Sequence, residues 1–175
     1  MSDRLPDAAL VLTRVAAPEV LAAGAAINRM AIDIVPTPIG AVAVCATSPG
    51  EPEAVAGLLS RLVPGTPVVL LVQREGQVTA SRWQGGVEGG HLSAALMLDG
   101  APPEIEGLLL GGVQVGDLPG VVSSAGMSRW RAARTLAGVA RATRRLARAS
   151  ARGHDGAARG RDDAAGPEGG TDAGR

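Results

Sequence analysis

Short apolar runs, separated by turn residues, recur along the first two thirds of the chain. Residues 8–15, AALVLTRV, are β-rich and stop before Pro18, which predicts a strand. Residues 18–30, PEVLAAGAAINRM, suit a helix: Pro18 fits a first turn, Glu19 meets the positive helix end, and Ala and Leu supply propensity. Gly24 works against that helix. Residues 31–36 and 40–46 read as two short strands joined by the turn TPIG, with Pro38 and Gly40 as punctuation. Residues 51–63, EPEAVAGLLSRLV, predict an amphipathic helix. Val55, Leu58, Leu59 and Leu62 share one face, and Pro64 and Gly65 end it. PVVLLVQ at 67–73 is a buried-type strand that turns through Arg74, Glu75 and Gly76 into a second strand, QVTASRW.

This order, strand, helix, strand, strand, helix, strand, is the ferredoxin-like split pattern. The expected class is therefore α+β: a ferredoxin-like βαββαβ start with extra C-terminal strands, a long basic helix and a disordered tail. A different α+β sandwich with mixed strand order is the alternative. Beyond Trp83, GGVEGG reads as a glycine-rich connection and HLSAALML as a short buried helix. APPEIEG is a loop or helix start, and LLLGGVQV and LPGVVSS are two weak strands. Residues 127–150 form one long helical stretch. The expected division is an N-terminal extension (1–7), a globular domain (8–126), an Arg-rich helix (127–152) and a tail (153–175). Residues 8–126 contain 40 Leu, Val, Ile, Met and Trp, enough for one modest core. No Leu, Val, Ile, Met or Trp follows Leu146, so the tail cannot bury a core.

Composition narrows the chemistry. The 175 residues include no Lys, Phe or Tyr, one Cys, two His and two Trp. One Cys excludes a disulfide framework and multi-Cys zinc or iron–sulfur sites within the chain, and two His exclude a His-rich metal centre. Stacking platforms built from Phe or Tyr are absent. The scarcity of residues with AT-rich codons, beside 32 Ala, points to a GC-rich source. A spurious reading frame would share that bias, but not the regular punctuation by turn residues. No run reaches the ~18 apolar residues of a membrane span. The start, MSDRLPDAALVLTRV, lacks a basic region followed by a long apolar one, so a cytoplasmic location is expected.

The formal net charge of zero conceals an asymmetry. Residues 1–126 carry 6 Arg and 12 acids, 127–152 carry 8 Arg and no acid, and 153–175 carry 3 Arg and 5 acids. On a helical wheel Arg131, Arg134, Arg141, Arg144, Arg145, Arg148 and Arg152 fall within an arc of roughly 140°, with only Arg129 outside. Leu136, Val139, Leu146, Ala132, Ala140 and Thr143 occupy the other side. The simplest reading packs this thin apolar stripe on the acidic body and leaves the Arg face solvated. Guanidinium forks also match phosphate oxygens, so nucleic acid is a candidate partner, as is an acidic protein surface. No helix-turn-helix or zinc-finger spacing accompanies the helix, so nucleic-acid binding would have little sequence specificity. An anionic membrane surface fits less well, because Trp130 lies within the Arg arc rather than with the leucines. Self-assembly into a homo-oligomer is a further use.

Catalytic constellations are not visible. Gly85 to Gly90 has the end-to-end spacing of a phosphate-binding loop, but His91 and Leu92 stand where Lys and Ser or Thr belong, and Glu88 would repel phosphate. His91 and Ser93, two residues apart, point away from each other on a helix. Cys45 sits in an apolar strand with no cation nearby in sequence to lower its pKa. The pairs Glu51/Glu53 and Glu104/Glu106 adjoin prolines and suit helix starts. No metal ligand set and no cofactor fingerprint is found. The expected function is thus a binding or regulatory module that uses Arg131, Arg134, Arg141, Arg144, Arg145 and Arg148 for an anionic partner. The alternative is a small-molecule-binding or hydrolytic domain using GGVEGGHLS, with Trp83, His91 and Ser93 lining its pocket.

Overall fold

The computed structural model describes residues 7–142, 144 and 145. Most of the expected N-terminal extension, Arg148, Arg152 and the expected tail at 153–175 lie outside the described residues. The described residues fall into two units that part between Leu136 and Ala137. The first unit is mixed α+β and holds a seven-stranded antiparallel sheet in the order β6-β5-β4-β1-β3-β2-β7. The strands are β1 (Ala8–Leu12), β2 (Asp33–Thr37), β3 (Gly40–Cys45), β4 (Val68–Arg74), β5 (Gln77–Gln84), β6 (Val87–Leu92) and β7 (Val122–Ser123). Its helices are α1 (Pro18–Ile27), α2 (Glu51–Leu62), α3 (Ala94–Leu98) and α4 (Pro103–Leu110). A further helix, α5 (residues 129–142), starts in this unit and continues past the division. No helix among the described residues is long and apolar enough to cross a membrane.

The central strands are mostly apolar because both faces of the sheet are covered. Ala9, Val11, Ala41, Ala43, Leu70 and Val72 point to one side, where Leu21, Ala22 and Ala25 of α1 and Val55, Ala56 and Leu59 of α2 close over them. Leu10, Val35, Val42 and Leu71 point to the other side, beneath Ile105, Leu108 and Leu109 of α4. Gly24, which sequence propensity counts against α1, has a packing reason. A Cβ there would collide with the Leu62 side chain, so the glycine lets α1 and α2 approach closely.

Several expectations need correction. The strand expected at 8–15 ends at Leu12. Beyond it the chain passes over Gly40 (φ +129°), where a Cβ would strike the Thr13 carbonyl. GGVEGG is not a loose connection. Gly85 (φ 61°) and Gly86 (φ 90°) form a two-residue hairpin turn, and the rest of the segment is β6. His91 and Leu92 finish that strand instead of starting a helix, leaving α3 only five residues long. LLLGGVQV is not a strand: Pro103 opens α4, Glu104 and Glu106 occupy its first turn, and Gly111 (φ 73°) ends it in the left-handed region. From LPGVVSS only Val122–Ser123 pairs with the sheet, beside β2.

Two seryl hydroxyls fasten distant parts of this unit. Ser124 accepts from the Ile32 backbone N–H (2.8 Å), and its hydroxyl lies 2.7 Å from the Met30 carbonyl oxygen. This pins the short β7 edge. Ser60 of α2 accepts from the Gly86 N–H (2.8 Å) and donates to the Gly57 carbonyl (3.0 Å), tying the β5–β6 turn to α2.

Candidate functional site

The start of the basic helix is capped and seated within the first unit. The Ser128 hydroxyl accepts from the Arg131 N–H at 3.3 Å. Ala132 is fully buried against Ala23 and Ala26 of α1, with Met127 and Leu136 partly buried around it. Only a side chain as small as alanine's leaves α5 close to this alanine surface. Arg129, Arg131 and Arg134 are exposed, and among the described residues none of them makes an ion pair. The Arg134 guanidinium lies over the Trp130 ring, 3.6 Å from its centroid. That stacking occupies the indole, which is 68% exposed. In the second unit Arg141, Arg144 and Arg145 are exposed, and Arg141 Nε donates to the Ala137 carbonyl at 3.1 Å. Arg148 lies outside the described residues.

Trp83, His91 and Ser93 do not converge on one pocket. The half-buried Trp83 lies against Gly57 of α2, and its indole N–H donates to Ser81 Oγ at 2.9 Å. It lines a cleft of about 330 Å³ with Met30, Glu53, Arg61, Gly57 and Gly86 among others. Neither His91 nor Ser93 reaches that cleft. His91 is exposed on β6, opposite Ser81. The Ser93 hydroxyl accepts from Leu96 N–H at 3.5 Å as the cap of α3. In the cleft one Glu53 carboxylate oxygen is buried without a hydrogen-bond partner, a feature the sequence does not announce. A larger, mainly apolar cavity of about 390 Å³ lies between the end of β1 and the start of β4, among Leu12, Ile39, Pro67, Val69 and Met97. It holds none of the residues that sequence chemistry singles out.

Cys45 is 7% exposed, and its thiol pKa is pushed up to about 12, first by burial and then by the Glu51 and Glu53 carboxylates. A thiol held neutral in this way is a poor nucleophile. Among the described residues no group of three or more His, Cys, Asp or Glu is placed to hold a metal ion. What the described surface offers is therefore exposed guanidinium groups in each unit, a small cleft with one aromatic wall, and a sheet edge at β6. No protein-family model, no curated protein and no solved structure matches this chain.

Proposed function

We propose that the chain is a non-catalytic cytoplasmic binding or regulatory module whose Arg-rich helix engages an anionic partner, either a nucleic-acid backbone or an acidic protein surface. The observation that supports this most is the contrast within α5. Ala132 is buried while the neighbouring Arg131 and Arg134 are exposed and make no ion pair among the described residues. An anchored helix presents guanidinium forks at lower entropic cost than a free arm does. The strand order β4-β1-β3-β2 supports the finer fold reading. β1 and β2 both run antiparallel to β3 between them, and β3 and β4 both run antiparallel to β1, as in two interlocked split βαβ units.

Titration of labelled duplex DNA, single-stranded RNA and an acidic peptide, by fluorescence anisotropy over a salt series, tests the reading. Binding should weaken steeply with salt, with a log–log slope of roughly −0.9 per duplex phosphate contacted. Replacing Arg131, Arg134, Arg141, Arg144 and Arg145 together by Gln should flatten the slope. Binding unchanged by that replacement, or undetectable with all three probes, would refute it. A second reading, a small-molecule-binding domain, is supported by the unpartnered Glu53 oxygen beside Trp83. It predicts a ligand-induced rise in melting temperature that Glu53→Gln removes.

A further inference from the structure

The edge strand β6 carries five exposed residues and one half-buried one, and its exposed Val87 is 68% accessible. An open edge of this length exposes backbone donors and acceptors that await another strand. Here the strand reads VEGGHL. Laid antiparallel on a second copy of itself, with the midpoint between Gly89 and Gly90, it places Val87 opposite Leu92 and Glu88 opposite His91, each twice. Apolar meets apolar and acid meets base, which are the cross-strand pairs that stabilise a ladder.

In a regular antiparallel pair this register would be forbidden to a two-fold axis. Opposed pairs alternate between hydrogen-bonded and non-hydrogen-bonded, so a perpendicular two-fold must pass between identical residues. The irregularity in β6 lifts the restriction. Arg82 pairs with Gly90 and Trp83 with Glu88, leaving Gly89 as an extra residue. Glu88 and His91, three apart, consequently point to the same side of the sheet, the side of Trp83 and Ser81. Val87 and Leu92 point to the other. The two-residue turn makes Gln84–Val87 a hydrogen-bonded pair. By alternation Trp83–Glu88 and Ser81–His91 are not, so the backbone groups of Glu88 and His91 face outward, free to bond across the axis. A bulge ordinarily guards an edge against pairing. On a two-fold axis it meets its own copy, with only glycine hydrogens at the crossing.

We infer that β6 is a homodimer interface, joining two copies edge to edge into one continuous sheet through reciprocal Glu88–His91 and Val87–Leu92 pairs. The surface is distinct from the Arg-rich helix, and the inference does not depend on the function proposed above. Sedimentation equilibrium of the whole chain over a wide concentration range is the test. The parent chain should form a concentration-dependent dimer. His91→Glu, which sets Glu against Glu twice, should weaken association roughly tenfold or more. The double exchange Glu88→His with His91→Glu should restore it, since the opposed pair is merely swapped. Val87→Lys should also weaken it while leaving the circular dichroism of the monomer unchanged. A chain that stays monomeric throughout, a dimer indifferent to both His91→Glu and Val87→Lys, or a double exchange that fails to restore association would each overturn the inference.

Discussion

The two faces of the central sheet bury comparable side chains under very different roofs. One lies beneath two regular helices of ten and twelve residues, α1 and α2, whose contact is made intimate by Gly24. The other lies beneath a five-residue helix, an eight-residue helix and a 3₁₀ turn at Val115–Asp117. They also treat buried polarity differently. Cys45, on the α1–α2 side, is kept as a neutral thiol. Gln73, on the α4 side, is fully buried with neither its amide oxygen nor its nitrogen partnered. Among the described residues the α1–α2 roof leaves one Glu53 carboxylate oxygen unpartnered, whereas the roof assembled from short pieces leaves a whole Gln73 carboxamide and a Glu104 oxygen unsatisfied.

The comparison is sharpest where the loss is largest. Leu59→Ala and Ile105→Ala, one on each face and both fully buried, should each cost about 3–4 kcal/mol in urea unfolding. A cost below about 1 kcal/mol for Ile105→Ala would remove the second face from the cooperative core. Alkaline pH should strain the first face alone. The Cys45 pKa rises on folding from 9.0 to about 12, so below 9.0 both states keep the proton and nothing is lost. Above 9.0 the unfolded chain releases it and the folded chain does not, so stability should fall by about 1.4 kcal/mol per pH unit towards 12. With no Lys or Tyr in the chain to titrate over the same range, Cys45→Ala should largely level that slope.

Ser124→Ala should cost about 2 kcal/mol, because it strips a hydrogen bond from the Ile32 N–H and frees the β7 edge. Faster hydrogen exchange near Ile32 would accompany it. The smallest effect has the opposite sign. Gln73→Met, close in shape, should stabilise by about 1 kcal/mol because the unsatisfied amide is gone. Destabilisation on that substitution would show that the amide has a partner and would erase the contrast between the faces.

The α1–α2 side was legible in the sequence to within a few residues. Val55, Leu58, Leu59 and Leu62 recur at helical spacing, and β1 and the first five residues of β4 are unbroken apolar runs. On the other side the signals were too short. Two helical turns of PEIEGLLL carry no period that separates them from a strand, although Pro102 and Pro103 mark where a helix could begin. VEGGHL has no apolar alternation because an edge strand with both sides exposed needs none. Among candidate site residues, the exposure of Arg131 and Arg134 beside the buried Ala132 was readable from their spacing. The Trp83 cleft was not. Its shape depends on Ser60 meeting Gly86, 26 positions away, just as β7 depends on Ser124 meeting Ile32, 92 positions away. Partnerships of that kind belong to tertiary proximity, on which local pattern is silent.

The position of β1 also sets the order in which the chain can assemble. It is made before the other strands and lies near the middle of the finished sheet, between β3 and β4. The β2–β3, β4–β5 and β5–β6 hairpins can zip locally within microseconds. The strand they must flank, however, waits for Leu12 to meet Val69, across the intervening helices. Closing that long loop defers the decisive pairing and predicts slow, high-contact-order folding for a protein of this size. During synthesis AALVL stays without its second neighbour until β4 has left the ribosome. That interval, rather than the folded state, is when this chain is most exposed to aggregation.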